Sequence, residues 1–107
     1  MAYLALLAAI VAEVVGTSLL KSTEGFSRLV PSVACLGAYA LSFIGLAYAV
    51  QSLPVGIVYA TWSGLGTVAI VGVGATLLGE PITPGTVVGV LLVVGGVMVL
   101  NLGPGHA

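Results

Sequence analysis

Residues 3–20 read YLALLAAIVAEVVGTSLL, an apolar run broken at its middle by one carboxylate, Glu13. A bilayer core takes about 20 apolar residues in a helix. This stretch therefore spans a membrane by length and by composition. Glu13 lies ten residues after Tyr3, which at helical rise is about 15 Å into a core of about 30 Å. A carboxylate there costs roughly 2.5–3.5 kcal/mol on insertion scales. Such a group has either a function or a structural role as a protonated, interhelical hydrogen-bonding residue.

The rest of the chain repeats the pattern. Of 107 residues, 60% are hydrophobic and 5% are charged, whereas a soluble domain carries about 25% charged residues. Five charged side chains cannot cover a soluble fold, so lipid is the main solvent. Four runs predict an all-α integral membrane protein with helices over 3–20, 32–50, 55–78 and 85–102. The breaks are polar or proline-marked: Lys21 to Arg28 before Pro31, Gln51-Ser52-Leu53-Pro54, and Gly79-Glu80-Pro81 before Thr83 and Pro84. Transmembrane strands would alternate apolar and polar residues, and these runs do not. Short loops predict antiparallel neighbours, with loops one and three on one side. Met1-Ala2-Tyr3 lacks the basic start of a signal peptide, so the first run is expected to stay as a helix. His106, in the tail 103–107, reads as solvated.

Several functions are disfavoured. No basic patch suits nucleic acid. No nucleophile–base pair and no metal-ligand cluster appears, so neither an enzyme nor a metal or other cofactor is expected. Cys35, the single cysteine, reads as a small buried hydrophobe. Lys21 and Arg28 favour a cytoplasmic first loop. Two basic residues are a weak bias, which allows insertion both ways.

The helix period assembles a site around Glu13. Ala9, Ile10, Gly16 and Thr17 share its face. The second run offers Tyr39 and Ser42. The third offers Tyr59, Trp62 and Ser63, with Gly66 one turn on. Trp62 is roughly 10 Å deep, too deep for an interfacial belt, for which Tyr3 and Tyr48 are better placed. Aromatic faces attract organic cations and a carboxylate supplies the counter-charge. The alternative is that each aromatic only packs. Sixteen glycines let backbones approach. Gly85, Gly89 and Gly96 form a stripe on the fourth helix, for packing within the chain or for dimerisation. Gly64-Leu65-Gly66 permits a bend in the third. Four helices are few to wall a pathway, and a homodimer would bring two carboxylates to one cavity.

These residues resemble the small multidrug resistance family over essentially the whole length. Ala12-Glu13-Val14-Val15-Gly16-Thr17-Ser18-Leu19-Leu20-Lys21 is similar to the first-helix signature, and Glu24-Gly25-Phe26-Ser27-Arg28-Leu29 with Pro31-Ser32 continues it. Pro54-Val55-Gly56 and Tyr59-Ala60-Thr61-Trp62-Ser63-Gly64-Leu65-Gly66 resemble the third-helix signature. The resemblance implies a proton-coupled exporter of organic cations in the cell membrane, working as an antiparallel, dual-topology homodimer. It implies that Glu13 binds protons and substrate in competition and that Tyr39, Tyr59 and Trp62 line the site. It also assigns Gly64 to Gly66 to a bend and Gly89 and Gly96 to the dimerising helix. Gly16-Thr17 resembles the quaternary-ammonium branch; the guanidinium-exporting branch tends to carry tryptophan at position 16. Val30 and Thr61 depart from the family pattern, which has an aromatic and an apolar residue there. The rival readings are a guanidinium exporter and a non-transporting accessory subunit. A rotary-ring proton subunit ranks last, because it needs only a two-helix hairpin and no aromatic cavity.

Overall fold

The computed structural model describes residues 1–102, so His106 and the tail lie outside the described residues. Four helices follow in order: α1 (Ala2–Leu19), α2 (Leu29–Ala49), α3 (Val55–Leu77) and α4 (Pro84–Leu102). All four are long and apolar enough to cross a membrane. Helices α2 and α4 begin earlier than the sequence pattern places them. Pro31 lies inside the first turn of α2, and Pro84 is the first residue of α4. The first turn of a helix has no partner for its N–H groups, so proline is tolerated there.

The first loop is a built turn. A short 3-10 segment, Lys21–Thr23, follows α1. Glu24, Gly25 and Phe26 then take φ of 48°, 74° and 65°. Thr23 is 1% exposed and holds the reversal together. Its hydroxyl donates to the Leu20 carbonyl (2.7 Å) and accepts the Phe26 N–H (3.2 Å).

Helix α1 packs against both α2 and α3, and α4 packs against α3. The molecule is a slab measuring 45 × 35 × 17 Å. Small residues set the closest crossings. A Cβ on Gly45 would lie 2.9 Å from the Ala5 carbonyl oxygen, and one on Gly16 would lie 2.9 Å from the Tyr39 ring. Cys35 is fully buried beside this second contact, and its thiol donates to the Gly16 carbonyl (3.2 Å). The apolar core joins Leu6, Ile10, Ala49 and Val58, with Trp62 and Leu65 packed on it. Most large apolar side chains point outward, among them Leu7, Leu36, Phe43 and Leu92. That is the expected surface where the solvent is hydrocarbon.

Thr61, which departs from the family pattern, gains a partner in α4. It is buried and accepts the Asn101 side-chain amide at 2.9 Å; the same amide donates to the Val97 carbonyl at 2.9 Å. Gly64 sits at the same contact. A Cβ there would lie 2.7 Å from Val97 Cγ2 and 3.2 Å from Val93 Cγ1. The glycine thus makes room for α4.

Candidate functional site

Glu13 lies past the middle of α1 and projects toward α3. Its Oε1 accepts the Thr17 hydroxyl at 2.8 Å. The Thr17 and Tyr39 hydroxyls are 2.7 Å apart. Threonine has one hydroxyl proton, which goes to Glu13, so Tyr39 donates to Thr17. This chain from α2 orients the carboxylate. The other oxygen, Oε2, is buried and has no hydrogen-bond partner among the described residues. It lies over Gly66, where a Cβ would be 3.0 Å away. Glycine at 66 leaves the space that the carboxylate fills.

A cavity of about 280 Å³ opens beside this group. Glu13 and Thr17 wall it from α1; Trp62, Ser63, Gly66, Thr67, Ile70 and Val71 wall it from α3. Trp62 is fixed from behind. Its indole N–H donates to Ser42 Oγ (3.1 Å), and Ser42 donates to the Ala9 carbonyl (2.8 Å). One relay therefore joins α3, α2 and α1. Tyr59 meets the indole edge-on, at 5.9 Å between centroids and 76°, and Phe43 lies at 6.3 Å. With its N–H committed behind it, the indole offers the cavity an aromatic surface.

The expected site residues separate into layers. Glu13, Thr17, Trp62 and Ser63 line the cavity. Tyr39 reaches it through Thr17. Ala9 and Ser42, expected as lining, are each 1% exposed and lie behind Trp62. Their place follows from the Trp62 hydrogen bond, which draws Ser42 inward. Tyr59 is 64% exposed and borders a second, apolar pocket with Phe43, Leu46 and Val50, on the far side of Trp62, which lines both. Helix α3 runs unbroken through Gly64 and Gly66, and both glycines accommodate neighbours. A Cβ added to Gly89 or Gly96 would meet nothing within 4 Å, so these two glycines mark no close packing within the chain.

Thr67, Ile70 and Val71 complete the wall, although no motif in the sequence marks them. A signal is present in the helix period: they follow Ser63 at i+4, i+7 and i+8, one stripe of a helix. Among the described residues, no three His, Cys, Asp or Glu side chains gather as metal ligands would.

A family model for the small multidrug resistance protein matches residues 1–93. The chain belongs to the small multidrug resistance family. Known relatives cover it almost completely. The multidrug resistance protein Mmr of Mycobacterium tuberculosis (strain ATCC 25618 / H37Rv) is 53% identical over 107 residues, covering 99% of this chain and 100% of the relative. The mmr protein of Mycobacterium leprae (strain TN) is 50% identical over 107 residues, with the same coverage. The quaternary ammonium compound-resistance protein QacE of Escherichia coli is 46% identical over 100 residues, covering 94% of this chain and 91% of the relative. This member of the family is a small multidrug efflux transporter and a multi-pass protein of the cell membrane.

Proposed function

We propose that this transporter exports hydrophobic organic cations, such as quaternary ammonium compounds and cationic dyes, in exchange for protons, with Glu13 binding the two in competition. The observation that carries the reading is Oε2 of Glu13, buried without a partner among the described residues at the edge of a cavity walled by Trp62. A buried polar atom left unpaired is costly. A proton or a cation at this oxygen removes the cost, and one excludes the other. Protonation neutralises the counter-charge that holds the cation. Trp62 supplies the aromatic surface for a cation, with Tyr59 buttressing its edge. The likeness to a quaternary ammonium resistance protein agrees with that substrate class.

The working unit in this reading is an antiparallel homodimer of chains inserted both ways. Every residue lining the Glu13 cavity belongs to α1 or α3, and a second copy would close its open side and bring a second Glu13. The stripe of Gly89 and Gly96, with open space where side chains would stand, supplies a surface for helix–helix approach. Two basic residues, Lys21 and Arg28, set little orientation bias. Gly64 and Gly66 let α3 flex about Leu65 as occupancy alternates. Exchange follows if loaded dimers switch access and empty ones do not.

The test is a pH series of tetraphenylphosphonium binding to the purified chain. Apparent affinity falls as pH is lowered, and binding at intermediate pH releases protons. Affinity independent of pH, or proton-coupled uptake surviving Glu13→Gln, would overturn the mechanism. Guanidinium bound in preference to the quaternary cation would instead assign the chain to narrow guanidinium export. Failure of the folded chain to bind either probe would leave an accessory role.

A further inference from the structure

The groove between α1 and α3 continues beyond the Glu13 cavity. Thr17 and Ile70 line that cavity and also a second one, of about 190 Å³, nearer the loops. The second is bordered by Ser18, Lys21, Gly74 and Glu80. Lys21 is eight residues after Glu13, about 12 Å along the helix.

Backbone geometry places Glu80 there. Helix α3 ends with the Glu80 N–H donating back to the Gly74 carbonyl at 2.9 Å, across Gly79 at φ 69°. The bond reaches six residues back, one further than the common closure of a helix end, and it passes over a left-handed glycine as such closures do. It folds the chain over the last turn and lays the Glu80 carboxylate on Gly74. Oε1 of Glu80 occupies the space that a Cβ on residue 74 would need. The glycines at 74 and 79 therefore serve one carboxylate position.

The charges around this cavity favour a cation. Helices α1 and α3 both end beside it, and each C-terminus carries a partial charge of about −0.5. Glu80 adds a full negative charge in the same place, where the helix ends oppose it. Lys21 is the one basic residue lining the cavity. A further cation here relieves the mutual repulsion of the carboxylate and the two helix ends. Glu80 has no part in the Glu13 cavity itself.

We infer that this second cavity is an outer docking station for the organic cation, with Glu80 as counter-charge and Lys21 as the internal competitor, on the route from solution to Glu13. The inference rests on Glu13 being the central cation site. Trp62 is the chain's single tryptophan and lines the Glu13 cavity as well as the pocket beside Tyr59, so the part of its emission change that Glu13→Gln abolishes reports arrival at Glu13.

The experiment is stopped-flow mixing of the full chain, in neutral detergent, with tetraphenylphosphonium. At low ionic strength Glu80→Gln slows association by about threefold to tenfold, the lower end of what charge steering gives. The difference shrinks below about twofold near 0.5 M salt, where screening acts over only a few ångströms. Gly74→Ala, which displaces the carboxylate but keeps its charge, also slows association. Lys21→Gln accelerates it. An unchanged low-salt rate in Glu80→Gln would overturn the inference, as would an unchanged rate in Lys21→Gln if the first variant does not fold. Failure of the central-site reading shows separately: Glu13→Gln would then keep the full Trp62 response and affinity.

Discussion

Gly66 on α3 and Gly96 on α4 are the same residue type in two apolar helices, and their surroundings differ completely. A Cβ on Gly66 would lie 3.0 Å from the Glu13 carboxylate, while one on Gly96 would meet nothing of its own chain. The first glycine makes room for a carboxylate inside the chain. The second is presented outward, on a helix without a buried residue. Absence of a side chain thus has two results here: space made for a carboxylate, or backbone left exposed on the helix surface. Which result follows is decided by the opposing surface, not by the glycine.

The comparison can be broken at either end. The largest effect is expected for Glu13→Gln, which removes the group that Gly66 accommodates. Proton-coupled cation uptake into liposomes falls to background, while Glu13→Asp keeps part of it with a displaced pH profile. Next comes Gly96→Val, which puts a branched side chain on the exposed stripe. Crosslinking in detergent then shows loss of dimer; an undiminished dimer would remove α4 from the assembly. Gly66→Val is the counterpart on the inner side. Overpacking of about 1–3 kcal/mol pushes the carboxylate aside, and cation affinity measured by calorimetry drops accordingly with the crosslinked dimer retained. If Gly66→Val and Gly96→Val gave the same pattern, the distinction between the two glycines would fail.

Smaller effects sharpen the picture of each region. Trp62→Ala weakens tetraphenylphosphonium binding by about 1–2 kcal/mol, the range of a desolvated cation–aromatic contact. Unchanged affinity with reduced thermal stability would make Trp62 a packing residue. Thr61→Val removes the acceptor of the Asn101 amide between α3 and α4. An interhelical hydrogen bond in a membrane is worth about 0.6 kcal/mol, so the melting temperature declines slightly and cation affinity is unaffected.

Much of this protein is written in one dimension. The four spans follow from the length and apolarity of the runs, because a bilayer core fixes how many residues a helix needs. Glu13 stands out by its depth, because a charge at mid-membrane is costly wherever its neighbours lie. Thr17 is legible as its i+4 neighbour. What lies opposite a residue is not legible. Ser42 and Trp62 both read as cavity wall, yet their mutual hydrogen bond puts Ser42 behind the indole. Thr67 and Val71 take their place in the wall because α1 crosses α3 along that stripe. Glu80 reads as part of a helix-breaking turn, and the turn's closure lays it on Gly74.

The division has a physical cause. Span, depth and helical face depend on the solvent and on the local period of the chain, and the sequence alone determines both. Partners depend on which ridges of neighbouring helices meet, and lipid is indifferent among apolar faces. Only packing and a few buried hydrogen bonds choose between them. Tertiary structure therefore decided that Tyr39 reaches Glu13 through Thr17, that Gly64 receives α4, and that one carboxylate oxygen of Glu13 is buried without a hydrogen-bond partner among the described residues.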